Sequence, residues 1–122
     1  MPFTPTKATS ILQSNIASSH YIGLSTTTPT AAGGNFTEPG SSTGYARQKF
    51  GDQNAGSGEI SNKYIIFFFE ALENCGTFTH FGIFSSASGG TPHFYGSLTT
   101  DLTVNAGYVP LIRAGELVIT LD

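Results

Sequence analysis

The sequence has 122 residues, of which 39% are hydrophobic and 12% aromatic, so a disordered chain is excluded and we expect one domain over residues 1–122. Only 11% of the residues are charged, with five Lys and Arg against eight Asp and Glu. This balance excludes the basic surface that binding to a nucleic-acid backbone requires.

The first predicted element is a short amphipathic helix from Pro5 to about Ser18, inside an N-terminal segment of residues 1–19. Apolar side chains recur there at helical spacing: Ala8, Ile11, Leu12 and Ile16. Thr4 is a suitable N-cap before a proline at the first helical position. The other positions are mostly polar, so the helix must dock its apolar side on a sheet or on a neighbouring subunit. In the second case Ile11, Leu12 and Ile16 would be interface contacts.

No export signal or membrane span is expected. The first ten residues lack the charged and apolar regions of a secretory signal, and no apolar run approaches 18 residues. We therefore expect a soluble chain without a membrane partner.

Beyond the helix the sequence predicts an all-β fold. Every apolar segment is short and is bounded by Gly, Ser, Thr, Asn or Pro, which is typical of a sandwich or barrel. Eight or nine strands are predicted, over residues 21–25, 45–50, the neighbours of Ile60, 64–69, 77–85, 93–98, 102–104, 108–112 and 116–121. Segments 88–90, 105–107 and 113–115 are interpreted as hairpin turns. We expect antiparallel strands in a β-sandwich of jelly-roll type.

A long polar loop over residues 26–44 interrupts the strands, and residues 51–58 form a second polar stretch. The first loop holds four glycines and two prolines and is longer than a compact domain normally leaves unstructured. It is either a binding loop or an arm that becomes ordered against a partner. Phe36 is its candidate contact residue.

The run Tyr64-Ile-Ile-Phe-Phe-Phe69 does not alternate between apolar and polar residues, so both of its faces need apolar neighbours. Two interpretations stay open: a central strand beneath the protein's own helix, or a subunit interface. In the interface interpretation Tyr64, Phe67 and Phe69 would be contacts.

The strand at 77–85 alternates clearly. It places Phe78, His80, Gly82 and Phe84 on one face, and Thr79, Phe81 and Ile83 on the other. His80 is interpreted as a hydrogen-bonded core or interface histidine, and it is also a candidate for an intersubunit contact or a pH-responsive group.

The sequence shows no constellation for catalysis or for a metal. Its three histidines and eight carboxylates have no metal-ligand spacing, and there is no nucleophile elbow. The single cysteine, Cys75, excludes an intrachain disulfide, and a strand would point Cys75 and His80 to opposite faces. We therefore expect neither an enzyme nor a cofactor.

Hydroxyl side chains replace most of the usual charges, because the sequence contains 13 Ser and 16 Thr. A surface of hydroxyls is cheaper to desolvate than a charged one, so neighbouring subunits can cover it. Composition alone favours an assembly component and a turn-rich monomer equally.

Several motifs occur in order along the chain: Tyr21-Ile-Gly-Leu-Ser-Thr-Thr-Thr-Pro29, Gly44-Tyr-Ala-Arg47, Ser61-Asn-Lys-Tyr-Ile-Ile-Phe67, and GTFTHFGIF at 76–84. With them, from about residue 21 to residue 122, the chain resembles a group of small tailed-bacteriophage virion structural proteins, of capsid-decoration or tail-fibre-like type, that share a GTxTHFGIF motif. It departs from the group at Phe68, where proline is usual, and near Cys75, where tryptophan is frequent. The resemblance brings no catalytic residue.

The resemblance implies a protein of the virion, made in the cytoplasm of a bacterial host. The first hypothesis is a homo-oligomeric capsid decoration or cement protein, with a trimer as the expected state. Its partners would be copies of itself and the major capsid protein or another virion protein.

The alternative hypothesis is a tail-fibre or adhesin module that binds carbohydrate on the host surface. Exposed tyrosines would then stack on sugars, with Tyr45, Tyr95 and Tyr108 as the candidate contacts.

Overall fold

The computed structural model describes residues 4–16 and 19–120, which form one α-helix, one short 3₁₀ helix and nine strands. The elements in chain order are α1 (Pro5–Asn15), β1 (Tyr21–Ser25), the 3₁₀ helix (Ser41–Thr43), β2 (Gln48–Lys49), β3 (Gln53–Gly56), β4 (Glu59–Asn62), β5 (Ile66–Phe67), β6 (Gly76–Phe84), β7 (Phe94–Val104), β8 (Leu111–Ile112) and β9 (Val118–Thr120). The predicted all-β class with one N-terminal helix is confirmed, whereas the jelly-roll arrangement stays a prediction.

The helix α1 begins where the sequence predicts. Thr4 is the N-cap, its hydroxyl accepts a hydrogen bond from the Lys7 N–H at 3.3 Å, and Pro5 occupies the first turn. The helix ends at Asn15 and Ile16 is its C-cap, so it is shorter than predicted, and residues 17–18 lie outside the described part of the chain. No helix of the described residues is long and apolar enough to cross a membrane.

The strands form three antiparallel sheets with the orders β2-β1-β6-β7, β3-β4-β9 and β5-β8. The loop that contains residues 88–90 closes the β6–β7 hairpin, as predicted. The turns at 105–107 and 113–115 do not close hairpins, because they join strands that belong to different sheets.

One hydrophobic core joins α1 to all three sheets. Its members come from every part of the described chain: Leu12, Ile16, Ile22, Leu24, Phe50, Ile60, Ile66, Phe68, Phe69, Ala71, Phe78, Phe81, Ile83, Val104, Ile112, Leu117 and Ile119. The helix packs against β3 and β4. Burial of each large apolar side chain contributes about 1.5–3 kcal/mol, so these contacts hold the short strands together.

An irregularity in the β6–β7 pair changes the predicted alternation. Phe78 pairs with Leu102, but the register shifts between Phe78 and His80, and Phe81 pairs with Gly96. Because such a shift resets the two-residue period, Phe78 joins Phe81 in the core instead of sharing a face with Phe84.

Two further differences concern strand boundaries. The polar stretch at 51–58 contains β3, which pairs with β4 from Gln53–Asn62 to Gly56–Glu59. The turn between them places Ser57 at a φ of 53° and Gly58 at 80°, a conformation suited to a tight hairpin. The two strands predicted at 93–98 and 102–104 are one strand, β7. The last predicted strand reaches residue 121, which lies outside the described residues.

The aromatic run at 64–69 is not a central strand beneath the helix. Within the described residues its ladder pairs Ile66 and Phe67 of β5 with Ile112 and Leu111 of β8, while α1 packs on a different sheet. Ile66, Phe68 and Phe69 are buried, and the other three members of the run are exposed.

Candidate interaction surfaces

Two paired glycines form a depression in the outer face of the four-stranded sheet. Gly23 of β1 lies opposite Gly82 of β6. A Cβ atom at Gly23 would be 2.7 Å from the Phe84 ring and 2.9 Å from the Glu38 carboxylate. A Cβ at Gly82 would be 2.8 Å from the Phe36 ring. Both glycines are therefore required for side chains from the loop at 26–44 to lie on the sheet.

The loop at 26–44 is held by the protein's own chain. The buried Ser25 hydroxyl donates to the Thr27 carbonyl at 2.8 Å and accepts from the N–H groups of Thr27 and Thr37 at 3.1 and 3.0 Å. Thr26 N–H donates to the Thr37 carbonyl at 3.1 Å. Phe36 then packs edge-to-face on Phe84, with ring centroids 5.2 Å apart. The loop is thus ordered without a partner.

Arg47 is the centre of a polar cluster that fixes this loop. Its guanidinium makes two parallel bonds to Glu38, with Nε to Oε2 at 2.9 Å and Nη2 to Oε1 at 2.7 Å. Its Nη1 donates to the carbonyls of Ser86 and Gly89, both at 3.0 Å, and the group stacks 3.4 Å above the Phe84 ring. Only a guanidinium satisfies all of these partners at once, so Arg47 joins the loop at 26–44 to the β6–β7 loop.

The Tyr45 hydroxyl completes the cluster. It donates to the Glu38 carboxylate and accepts from the Leu24 N–H at 2.9 Å. Burial, with the neighbouring Glu38 carboxylate adding to the effect, raises the pKa of Tyr45 well above the ordinary tyrosine range. Tyr45 is therefore a neutral structural residue whose hydroxyl is already engaged.

Sequence reasoning did not identify Glu38, Arg47 or the two glycines as a unit. The available signal was the position of an arginine inside the GYAR motif of a chain with few charges. The structure brings three of the family-like motifs together, because Gly23, Arg47 and Gly82 each lie in one of them.

A separate exposed surface lies on the aromatic run. We call Tyr64, Ile65 and Phe67 the apolar face; Tyr64 is 60% exposed and Phe67 is 57% exposed. These side chains form one wall of a groove of about 520 Å³ whose other wall contains Tyr21 and Lys49. Because these exposed apolar side chains line one groove, this surface is a candidate interaction site.

The other predicted contact residues are buried or half-buried. Leu12, Ile16 and Phe69 are buried in the protein's own core and offer little surface to a second subunit, while Ile11 is half-buried. His80 is also half-buried, with its Nδ1 atom 2.8 Å from the Thr79 hydroxyl and its Nε2 atom 3.4 Å from the Ser97 hydroxyl.

The three tyrosines proposed as glycan contacts do not share one environment. The ring of Tyr45 packs on Phe69 with centroids 5.3 Å apart, which leaves its hydroxyl inside the Arg47 cluster. Tyr95 on β7 is 39% exposed and pairs with Gly82. Tyr108 follows the turn at 105–107 and is 56% exposed.

Among the described residues, no group of three or more His, Cys, Asp or Glu side chains has the arrangement of a metal site. His20 and His93 have ring centroids 6.3 Å apart, and Cys75 is half-buried with its thiol 3.5 Å from the Glu73 carbonyl.

Residues 12–120 match the family described as podophage GP4 fiber I protein gp80. No curated protein matches the sequence at a significant level. The family match runs from within α1 to the end of β9, and it supports a structural protein of a phage virion.

Proposed function

The chain belongs to the family of the podophage GP4 fiber I protein gp80, and we propose that it is a fibre component that assembles with copies of itself through the apolar face. The observation that carries this proposal is that Tyr64, Ile65 and Phe67, three apolar side chains of one short segment, are all exposed and line the same groove. The role is one of binding, without a catalytic step.

The size and shape of this surface suit a contact between copies. A fully exposed aromatic side chain presents about 150–250 Å², so Tyr64 and Phe67 together offer roughly 200–300 Å² of apolar area. A standard interface buries about 800 Å² on each partner, with an apolar centre and a polar rim. The apolar face would supply the centre, and the adjoining groove would receive a side chain from a second copy.

Few charges oppose such a contact. Lys49 and Asp52 line the groove beside the apolar face with opposite charges and are exposed, and Arg47, which also lines it, is paired with Glu38. The exposed Lys63 ammonium lies 5.5 Å from the centre of the Tyr64 ring. Lys49 and Asp52 therefore fit a polar rim that stays near water. A trimer is our first choice of assembly, and in any closed oligomer built through this contact the apolar face of every copy would be covered.

The family description names a fibre, which favours the fibre hypothesis over capsid decoration. Neither the fold nor the family match supports a cement role. Another virion protein would then hold the assembled fibre on the particle.

The test is the oligomeric state of the purified protein and of two variants, measured by size-exclusion chromatography with light scattering. The wild type is expected to form a closed oligomer at micromolar concentration. Phe67→Ser should shift it to the monomer, because a polar side chain at the centre of the interface weakens each contact.

Val118→Ser is the matched control, since Val118 is 43% exposed on β9, belongs to a different sheet from β5 and does not line the groove beside the apolar face. It should retain the oligomer. A wild-type monomer, or equal dissociation of both variants while they stay folded, would overturn assembly through the apolar face.

A further inference from the structure

We propose that the groove between β7 and residues 108–116 binds an uncharged saccharide. This β7–β8 groove has a volume of about 430 Å³ and is lined by Thr100, Thr103, Tyr108, Val109, Arg113 and Glu116, among others. The inference goes beyond assembly and does not depend on the apolar face, since no residue of 64–67 lines this groove.

The size of the groove suits a small ligand. Sites for small molecules are usually concave, with volumes of about 300–1,000 Å³, and combine an apolar surface with a few polar groups that fix orientation. Here Val109 and Tyr108 supply the apolar surface, and both are about half exposed. Thr100, Thr103, Arg113 and Glu116 supply its polar groups.

Tyr108 gives the groove a stacking surface. Its ring makes no aromatic contact, and its hydroxyl makes no hydrogen bond, to any described part of the chain. The backbone around it is nevertheless fixed, because Tyr108 N–H donates to the Asn105 carbonyl at 3.0 Å and its own carbonyl accepts from Ala71 at 2.9 Å. The Tyr108 ring, which is exposed and carried by a fixed backbone, offers a flat apolar surface for the C–H face of a pyranose.

The polar groups of the groove remain available for sugar hydroxyls. Arg113 and Glu116 are exposed, and neither side chain has a hydrogen bond or ion pair within residues 4–16 and 19–120. A guanidinium donates and a carboxylate accepts, so together they match hydroxyls that do both. The Thr103 hydroxyl lies 2.9 Å from that of Thr77 and can still accept a further bond.

The charge balance selects the class of ligand. One cation and one carboxylate line the groove, so its formal charge is zero. A phosphate or an acidic sugar would gain from Arg113 but would be repelled by Glu116. A neutral, hydroxyl-rich ring uses both side chains without burying an unpaired charge.

The experiment is saturation-transfer difference NMR on the full chain, with the methyl glycosides of glucose, galactose, mannose and rhamnose as probes. We expect at least one of them to bind with millimolar affinity. Tyr108→Ala should weaken that binding at least tenfold, while Tyr108→Phe, which keeps the stacking surface, should change it less than threefold. Glu116→Gln should weaken binding and improve the relative binding of inorganic phosphate.

Tyr95→Ala is the matched control, because Tyr95 is an exposed tyrosine on β7, the strand that lines one side of the groove, but is itself outside the groove. It should bind like the wild type, and thermal unfolding should show that each variant is folded. Absence of binding for all four glycosides would overturn the proposal. The proposal would also be overturned if Tyr95→Ala weakened glycoside binding and Tyr108→Ala did not, or if the wild type bound phosphate in preference to the glycosides. Because the readout is ligand binding, its failure leaves assembly through the apolar face untouched.

Discussion

At the scale of single residues, Arg47 makes four side-chain hydrogen bonds that join the loop at 26–44 to the β6–β7 loop. Its side chain is 4% exposed and that of Glu38 is 22% exposed, so the pair is largely removed from water. Removal of one partner of a buried pair leaves the other charge without compensation. Arg47→Ala should therefore destabilise the protein by about 3 kcal/mol.

Arg47→Lys should also be destabilised, since an ammonium group cannot form the paired bonds to Glu38 and the stack on Phe84 together. Chemical denaturation measures both variants. Arg113→Ala is the control, because Arg113 is exposed and unpaired among the described residues, and it should change stability by less than about 0.5 kcal/mol. Equal effects at the two arginines would contradict the structural role given to Arg47.

Tyr45 makes a second residue-scale prediction, on pH dependence. The unfolded chain releases the Tyr45 proton near pH 10, whereas burial keeps the pKa of the folded-state phenol well above that value. The unfolded state therefore binds fewer protons than the folded state above about pH 10, and stability must fall as pH rises through this range. Below pH 10 the contribution is fully present.

Tyr45→Phe removes the titrating group together with two hydrogen bonds. We expect it to be less stable than the wild type by about 1–2 kcal/mol at pH 7. The difference should shrink between about pH 10 and 11.5 because the variant lacks this alkaline loss. Denaturation at several pH values tests this, and parallel stability curves for the two proteins would contradict the buried, neutral phenol.

At the scale of elements, the sequence predicts best where the signal is local. Thr4 and Pro5 mark the start of α1, and β1 has the predicted bounds, because a cap and an apolar run are set by neighbouring residues. The strand β3 was missed because Gln53–Gly56 carries no apolar pattern and forms only through its pairing with β4. The continuity of β7 likewise depends on its partner β6.

The aromatic run gives the element-scale prediction. Phe68 is buried and Phe67 is 57% exposed, although they are adjacent and chemically identical. Phe68→Ala should cost about 3–5 kcal/mol because it leaves a cavity in the core. Phe67→Ala should change the stability of the monomer by less than about 1 kcal/mol, since most of its ring already contacts solvent.

The two variants form a matched pair, compared by denaturation at a concentration where the protein is monomeric. If Phe67→Ala and Phe68→Ala lowered the free energy of unfolding by similar amounts, the outer face of β5 would have to be covered within one chain. That result would also remove the basis for assembly through the apolar face.

At the scale of the whole molecule, the sequence predicts a charge-poor protein that is mostly β but not the position of its surfaces. The sequence predicts a binding loop or an arm at 26–44, and in the structure Phe36 and Glu38 of this loop pack on the sheet. That outcome could not be predicted locally, because it depends on Gly23 and Gly82 meeting across strands from distant parts of the sequence. The position of the β7–β8 groove could not be predicted from the sequence either, because it also depends on how separate segments pack. The sequence predicts only one of its lining residues, Tyr108, as a candidate contact.

The last prediction concerns the virion itself. A fibre component contributes to attachment and not to the strength of the head, so particles that lack this protein should keep their resistance to heat while losing adsorption to host cells. Supply of the protein in trans should restore adsorption. Val118→Ser should restore it as well, and Phe67→Ser should not, because only the latter disturbs the apolar face.

Antibody labelling in electron micrographs gives an independent readout of position. Label at the tail, with a few dozen copies or fewer per particle, is the expected result for a fibre. Label spread over the head in hundreds of copies, with heat-sensitive particles and normal adsorption in its absence, would instead identify a cement protein. A small closed fibre oligomer requires few copies per particle, whereas a protein that covers the shell requires hundreds. A single experiment that measures position and copy number therefore distinguishes the two roles.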